Sequence, residues 1–273
     1  MGYLSTDKKK ITTKTFAEMK QAGEKVTMLT AYDFTTAGII DSATGIDSIL
    51  IGDSASNVMA GNANTLPISV DEMIYHARSV TRAVNHALVV CDMPFGSYQI
   101  SREEALRNAC RMMKETGVDA LKLEGGIEII DTVKSLIDAG IPVHGHLGLT
   151  PQSVNKFGGY GIRAKEEAEA EKLISDAIAL DKAGCFAIVL EKVPAKLAAE
   201  VTRQVKAVTI GIGAGAGCDG QVLVYADALG MTQGFKPKFL RHFAHVGEEM
   251  TKGVQSYVDA VKTGGYPSAE ESY

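Results

Sequence analysis

The chain has 273 residues, of which 45% are hydrophobic, and its formal net charge at pH 7 is -5. This length and composition allow a large core, and the acidic balance argues against nucleic acid as a partner. No run approaches 18 uninterrupted apolar residues and no secretory signal opens the chain, so we expect no membrane segment and a cytoplasmic location. The four cysteines form no CxxC pair and are expected to be free thiols.

Eight short apolar runs alternate with helical patterns along the chain. The predicted strands cover residues 26–31, 48–51, 87–91, 120–123, 142–149, 186–190, 208–212 and 222–226. Such alternation predicts parallel pairing with right-handed crossovers, and eight units favour a closed α/β TIM barrel, (β/α)₈, over an open doubly wound sheet. We expect one catalytic domain over residues 1–273, with residues 265–273 as a flexible tail.

Capping residues and glycines mark the predicted helices. A short N-terminal helix over 13–22 should end at Gly23, before the first strand. Ser69 and Ser101 each stand three residues before a glutamate, which predicts capping boxes that open two helices. Further helices are predicted over 129–139, 166–183, 194–206 and about 237–262. Between the seventh and eighth strands, Gly211-Ile-Gly-Ala-Gly215 can be a phosphate loop or a tight turn.

Most of the predicted strands end on an acid or carry a histidine. The fifth strand carries His144 and His146, and the acids at the ends of strands one, two, three, four and six are Asp33, Asp53, Asp92, Glu124 and Glu191. In a barrel these ends converge on one face, where the chemistry of this fold lies. A single such acid is more often a helix cap or a solvated loop, but five of them favour a functional site.

Three of these acids suggest a metal site. Asp53, Asp92 and Glu124 come from neighbouring strands, and their mutual repulsion is relieved by a divalent cation. A set of oxygen ligands with open positions suits Mg²⁺, with waters and a chelating substrate as the other ligands. His144 and His146 face one side of the fifth strand, so a site containing histidine is the alternative.

Three further residues each have two interpretations. Lys122 faces the same side as Glu124 and can neutralise a bound carboxylate or pair with one of the acids. Glu191, across the barrel mouth, can act as a base or form a salt bridge with a cation such as Lys192. Ser54 can donate to a substrate oxygen or cap the turn after the second strand.

A metal, a separate base and a lysine suit proton abstraction beside the carbonyl of a 2-oxo acid.

Several separated stretches resemble the ketopantoate hydroxymethyltransferase family, in that family's order, over about residues 14–267. The most specific of them is Gly145-His-Leu-Gly-Leu-Thr-Pro-Gln-Ser153. The others are Leu29-Thr-Ala-Tyr-Asp33, Ile51-Gly-Asp-Ser54, Thr65-Leu-Pro67, Cys91-Asp-Met-Pro-Phe95, Leu121-Lys-Leu-Glu-Gly-Gly126, Val189-Leu-Glu191, Gly211-Ile-Gly-Ala-Gly215 and Asp219-Gly-Gln221.

The resemblance implies a (β/α)₈ barrel that assembles into a homo-oligomer, with a decamer expected. It implies transfer of a hydroxymethyl group from 5,10-methylenetetrahydrofolate to 3-methyl-2-oxobutanoate, which forms 2-dehydropantoate for pantothenate biosynthesis. The partners would be these small molecules, with Mg²⁺ as cofactor. The alternative is a Mg²⁺-dependent 2-oxo acid lyase or mutase on a similar barrel.

By motif, the resemblance implies that Asp53, Asp92 and Glu124 hold Mg²⁺. It also implies that Asp53, Ser54, Asp92 and Lys122 hold the 2-oxo acid.

Three more residues follow from the same motifs. Glu191 matches the proton acceptor, and His146 matches a histidine that lines the site. Lys192 departs from the family, in which small or apolar residues are usual, and a cation there would make Glu191 a weaker base. Strand alternation should turn Lys192 away from the site. Because neither substrate depends on a phosphate group, the resemblance disfavours the phosphate loop.

Overall fold

The computed structural model describes residues 10–232, 234 and 236–273. Two units are distinguished, of which the first ends at Leu223 and the second is Val224–Tyr273. Within these described ranges no helix has the length and apolar character needed to cross a membrane.

Eight parallel strands form a closed barrel in the first unit. Each strand pairs with the next one in the chain, and the last pairs with the first, so the predicted (β/α)₈ barrel is confirmed and the open sheet is wrong. The strands are β1 Val26–Thr30, β2 Ser48–Ile51, β3 Leu88–Asp92, β4 Ala120–Glu124, β5 Val143–Gly148, β6 Ala187–Glu191, β7 Val208–Ile212 and β8 Gly220–Leu223.

Helices connect most of these strands, as parallel pairing requires. In the described part of the first unit they are α1 Thr13–Ala22, α2 Phe34–Ser42, α3 Ala55–Val58, α4 Val70–Thr81, α5 Arg102–Thr116, α6 Ile130–Asp138, α7 Val154–Phe157, α8 Glu167–Ala183 and α9 Ala195–Gln204, with single 3₁₀ turns at Ile127–Ile129 and Pro151–Ser153.

Local capping explains several helix boundaries. Helix α1 has the predicted bounds and ends at Gly23, whose φ of 73° is the left-handed conformation that glycine adopts readily. The box at Ser69 is complete, since Ser69 and Glu72 each accept the other's main-chain N–H. Ser101 accepts the N–H of Glu104, but among the described contacts Glu104 does not bond back, so that predicted box is only half formed.

The barrel interior is apolar towards the N-terminal ends of the strands. Phe16 of α1 is fully buried in this core and makes an edge contact with the ring of Phe186, at a centroid distance of 5.8 Å. Phe186 directly precedes β6, so α1 covers the end of the barrel opposite the predicted site. The first helix therefore completes the core, and the carboxyl ends of the strands remain available for chemistry.

Strand β8 differs from its prediction, because it begins two residues earlier than expected and ends at Leu223. A Cβ at Gly220 would lie 2.4 Å from the carbonyl oxygen of Val26, so the absence of a side chain lets β8 approach β1. The predicted strand end lies instead in the second unit, where Val224 caps the short helix α10 Tyr225–Ala228.

In the second unit the last long helix, α11 Val246–Lys262, begins nine residues after the predicted start near residue 237. The N–H groups of Phe243 and Val246 donate to the carbonyls of Ala228 and Leu229, at 2.7 and 2.9 Å. These long-range bonds replace the i−4 bonds that a helix over this segment would need.

Candidate active site

The carboxyl ends of β2 to β6 bring the predicted site residues together. Four of the strands end on or near site residues, and Asp53 lies two residues beyond β2. In the barrel register Asp92 pairs with Lys122 and Glu124 pairs with His146. The buried members of the site are Asp53, Asp92, Lys122, Glu124 and His146, and the side chain of Glu191 is 16% exposed.

Lys122 and Asp92 form a buried ion pair. Nζ of Lys122 lies 3.1 Å from Oδ1 of Asp92, while Oδ2 of Asp92 accepts the N–H of Asp53 at 3.0 Å. Burial alone would lower the pKa of the Lys122 ammonium, but the charges of Asp92, Glu124 and Asp53 raise it above its usual value. Lys122 is therefore a fixed cation in the site.

Ionisation of Asp53 is disfavoured in this site. Burial, together with the charges of Glu124 and Asp92, raises its pKa to about 8. The nearby cation of Lys122 offsets only part of this effect. The site therefore carries more carboxylate charge than its own cations balance, which is the condition that favours a bound divalent cation.

His146 connects two of the predicted acids. Its Nδ1 lies 3.2 Å from Oε1 of Glu124 and its Nε2 lies 3.3 Å from Oε2 of Glu191. Burial and the charge of Lys122 oppose the imidazolium, yet these two carboxylates raise the pKa of His146 to about 9. Burial likewise opposes ionisation of Glu124, but His146 and Lys122 hold its pKa below the usual value.

Gln152, in the 3₁₀ turn after β5, joins two acids that lie far apart in the chain. Its side-chain Nε2 donates to Oδ2 of Asp53 at 2.9 Å, and its main-chain N–H donates to Oε2 of Glu124 at 2.9 Å. Its Oε1 accepts the hydroxyl of the buried Tyr98 at 2.7 Å. This residue was not singled out from the sequence.

Ser54 is turned towards Tyr32. Its Oγ lies 2.7 Å from the hydroxyl of Tyr32, which is fully buried. Ser54 precedes α3 but makes no side-chain capping bond, so the interpretation of Ser54 as a cap is wrong. Burial is the main cause that raises the pKa of Tyr32, so its hydroxyl stays protonated beside Ser54.

Two strand-end residues lie outside this site. Asp33 is an N-cap, because its Oδ1 accepts the N–H of Thr36 at 2.8 Å. His144 is fully buried and lies beside Lys122 in the barrel register, with its ring 5.5 Å from that of Phe186. Among the described residues neither ring nitrogen of His144 has a hydrogen-bond partner, and burial lowers its pKa well below the usual value.

Lys192, the departure from the family pattern, directly follows β6. Its Nζ donates to the carbonyl oxygen of Tyr160 at 2.8 Å. The residue adopts a left-handed φ of 45°, which ends β6 directly after Glu191. The lysine thus ties a neighbouring loop to the end of the strand.

The glycines after β7 form a turn. Gly213 and Gly215 have φ values of 64° and 79°, which disfavour residues with a Cβ. A Cβ at Gly215 would lie 2.5 Å from that of Ala195, and one at Gly217 would lie 2.6 Å from that of Ala199. The turn therefore packs closely against α9, which supports the tight-turn interpretation.

A family model described as ketopantoate hydroxymethyltransferase matches residues 10–269. The chain belongs to the ketopantoate hydroxymethyltransferase family. One relative, named 3-methyl-2-oxobutanoate hydroxymethyltransferase, from Phocaeicola vulgatus, is 61% identical over 272 residues, which cover 100% of this chain and 99% of the relative. A relative of the same name from Christiangramia forsetii is 61% identical over 273 residues and covers 100% of both chains. The family and enzyme class predicted from the motifs are confirmed.

Solved structures with this barrel are more distant. A putative phosphonomutase from Burkholderia cenocepacia has a TM-score of 0.62 at 12% identity and covers 92% of this chain and 98% of its own. A phosphonopyruvate hydrolase in complex with oxalate and Mg²⁺ has a TM-score of 0.60 at 10% identity and covers 96% and 93%. At these identities the likeness shows that this member of the ketopantoate hydroxymethyltransferase family shares their fold.

The donor set of this family member fits a hard cation. Oδ1 of Asp92 and Oε1 of Glu124 are buried and have no hydrogen-bond partner among the described residues, although a cation lies near each. In residues 10–232, 234 and 236–273, no group of three or more His, Cys, Asp or Glu side chains is arranged so that it could hold a metal ion. Mg²⁺ does not need three protein ligands, because it is usually bound through one or two carboxylates, with water and substrate oxygens completing its shell.

A cavity of about 280 Å³ adjoins Glu124. Gln152 and Tyr98 line it together with Glu124, and Phe157 and Arg163 are also part of its lining. The guanidinium of Arg163 lies over the ring of Phe157, 4.0 Å from its centroid. Glu124 is thus reachable from a space large enough for a small ligand.

Sequence reasoning missed the supporting residues of the site. Gln152 lies inside the most specific stretch of the family resemblance, so its position was available as a signal. Tyr32 directly precedes the acid that closes the first strand. Tyr98 carried no comparable signal, because it lies in an irregular segment between β3 and α5.

Proposed function

We propose that this chain transfers a hydroxymethyl group from 5,10-methylenetetrahydrofolate to 3-methyl-2-oxobutanoate, forming 2-dehydropantoate for pantothenate biosynthesis. The proposal rests on membership of the ketopantoate hydroxymethyltransferase family and on one geometric observation. That observation is a separate carboxylate, Glu191, which lies 3.3 Å from the same imidazole ring that lies 3.2 Å from Glu124.

The proposed Mg²⁺ ligands are Asp53, Asp92 and Glu124. When bound, Mg²⁺ would supply Lewis-acid stabilisation of the charge that develops on the keto oxygen of the 2-oxo acid. Oδ1 of Asp92 and Oε1 of Glu124, which are buried and have no hydrogen-bond partner in the described part of the chain, support this assignment.

The remaining steps belong to the chain's own residues. Lys122 lies in hydrogen-bonding reach of Asp92 as a permanent cation and would balance the substrate carboxylate, while Ser54 would donate to a substrate oxygen. Glu191 would accept the proton from C3, and the electron pair of the broken C–H bond would form the new bond to the one-carbon unit of the folate. Both bonds from that carbon to the folate nitrogens would break, and water would supply the hydroxyl group. The C3 proton and the second proton of the water would end on the two nitrogens of the departing tetrahydrofolate.

His146 would hold Glu191 in position for this proton transfer. The other ring nitrogen, Nδ1, lies 3.2 Å from Oε1 of Glu124 and 3.2 Å from Nζ of Lys122, so charged groups face the ring on both sides.

The C3 proton of 3-methyl-2-oxobutanoate, followed by NMR in D₂O, tests the proposal. We expect the signal to disappear with Mg²⁺ and to persist with a chelator, and 2-dehydropantoate to accumulate only when methylenetetrahydrofolate is added. Consumption of the 2-oxo acid without folate would favour the 2-oxo acid lyase or mutase instead. No exchange under any condition, with folded protein and saturating substrate, would overturn both functions.

The family resemblance also supports a cytoplasmic homo-oligomer, which we propose to be a decamer. Sedimentation equilibrium of the purified chain would measure its mass against the 29.0 kDa of one protomer.

A further inference from the structure

We propose that Gln152 is a positioning residue for Mg²⁺ binding, because it fixes the carboxylates of Asp53 and Glu124 in relation to each other. This inference rests on the proposed metal site. It concerns a residue that touches neither the reacting atoms nor the metal, and that acts through two of the proposed ligands.

The orientation of the Gln152 amide follows from its neighbours. Nε2 has two acceptors in reach, Oδ2 of Asp53 at 2.9 Å and the carbonyl of Met93 at 3.0 Å. Oε1 has two donors in reach, the hydroxyl of Tyr98 at 2.7 Å and Nε2 of Gln99 at 3.2 Å. A flipped amide would set oxygen against two acceptors, so only one orientation satisfies the network.

The main chain of the same residue holds the second acid. The N–H of Gln152 donates to Oε2 of Glu124 at 2.9 Å. The turn around it is stiff, because Pro151 restricts φ and the N–H of Ser153 donates to the carbonyl of Thr150 at 2.8 Å. Every donor and acceptor of the Gln152 side chain is therefore occupied. This one residue donates to the carboxylates of both Asp53 and Glu124.

Tyr98 supports this arrangement from behind. Its hydroxyl, which donates to Oε1 of Gln152, also accepts the main-chain N–H of Glu124 at 3.1 Å. The tyrosine is almost fully buried, so this support is shielded from water. Loss of the glutamine amide would leave Oδ2 of Asp53 without this donor and free to turn towards the cation of Lys122.

The test measures Mg²⁺ binding by calorimetry, with MgCl₂ as the only ligand and protein previously treated with EDTA. Gln152→Met keeps the length of the side chain but removes its four hydrogen bonds, and we expect Mg²⁺ binding to weaken about 10- to 100-fold. Gln204→Met is the matched control, because Gln204 is exposed on α9. Among the described residues, its side chain hydrogen-bonds only to Glu200. Its Kd should equal that of the wild type.

Thermal unfolding in EDTA separates positioning from general stability. A Gln152→Met protein that remains folded in EDTA but binds Mg²⁺ more weakly supports the inference, and wild-type affinity in that variant overturns it. If Gln152→Met does not fold, Tyr98→Phe decides, since it removes only the hydroxyl behind the amide. Several-fold weaker binding by Tyr98→Phe supports the inference, and an unchanged Kd overturns it. Failure of the wild type to bind Mg²⁺ would instead overturn the proposed metal site.

Discussion

His146 lies between Glu191 and Glu124, with its Nε2 3.3 Å from Oε2 of Glu191 and its Nδ1 3.2 Å from Oε1 of Glu124. The register of β4, β5 and β6 produces this arrangement, since Glu124 pairs with His146 and the next strand ends at Glu191. The proposed base and a proposed metal ligand are thus held by opposite sides of one buried ring.

Glu191→Gln should remove the base and leave binding intact. We expect turnover to fall by about 10²- to 10⁴-fold, because an amide cannot accept the C3 proton. Calorimetry should show unchanged binding of Mg²⁺ and of 3-methyl-2-oxobutanoate. Glu200→Gln, an exposed acid on α9, serves as the control and should keep the wild-type rate. Weak metal binding with normal chemistry in Glu191→Gln would show that Glu191 is not the base.

Removal of the metal should reduce stability through the acids that bind it. At a Mg²⁺ concentration of 100 times Kd, the free energy of unfolding of the wild type should rise by about 2.7 kcal/mol over its value in EDTA. Asp92→Asn should lose most of this increment. Asp33→Asn should retain it, because Asp33 caps α2 outside the site and asparagine caps equally well. Denaturant titrations with and without Mg²⁺ measure the difference, and an equal loss in both variants would contradict the ligand assignment.

Breaking the buried pair of Lys122 and Asp92 should destabilise the fold. Lys122→Met leaves the Asp92 carboxylate buried without its partner, and we expect a loss of about 3–5 kcal/mol. The double variant with Asp92→Asn should recover part of this loss, since no unpaired charge remains. Lys14→Met removes an exposed pair with Glu18 and should change stability by less than about 1 kcal/mol. Chemical denaturation in EDTA compares the wild type with Lys122→Met, Asp92→Asn, the double variant and Lys14→Met. A loss in the double variant equal to the sum of the two single losses would contradict the coupling.

Asp41 should make the fold sensitive to acid. Its carboxylate accepts the N–H groups of Asn85, His86 and Ala87 before β3. Burial opposes its ionisation, but these three bonds hold its pKa below the usual value. The stabilisation is therefore present above the unfolded pKa of about 3.9 and is lost as pH falls through the folded pKa.

Asp41→Asn should accordingly lower the free energy of unfolding by about 1–3 kcal/mol at pH 7. The reason is that the NH₂ group of the asparagine would face main-chain N–H donors where a carboxylate oxygen now accepts. The difference in the free energy of unfolding between Asp41→Asn and the wild type should become smaller below about pH 4. Urea denaturation at pH 7 and pH 3 measures it, with Glu103→Gln, an exposed acid on α5, expected to follow the wild type at both values. A difference that persists unchanged at pH 3 would show that charge is not the cause.

Most strands could be predicted because their apolar runs are short and end in acids. The exceptions have long-range causes. Strand β8 begins at Gly220, where the missing side chain admits the carbonyl of Val26. Helix α11 begins late because the N–H groups of Phe243 and Val246 bond to carbonyls well before them in the chain. The propensities of the local sequence identify neither the carbonyl that Gly220 approaches nor the carbonyls that Phe243 and Val246 bond to.

The sequence by itself determined the barrel, the family and the set of acids that meet at its mouth. It could do so because alternation of strands and helices permits few topologies, and parallel closure brings all the carboxyl ends to one face. It did not separate Asp33 from the other acids, since the choice between capping α2 and entering the site depends on where the side chain turns. Only the tertiary structure decided that, and only it placed Gln152 against Asp53, 99 residues earlier in the chain.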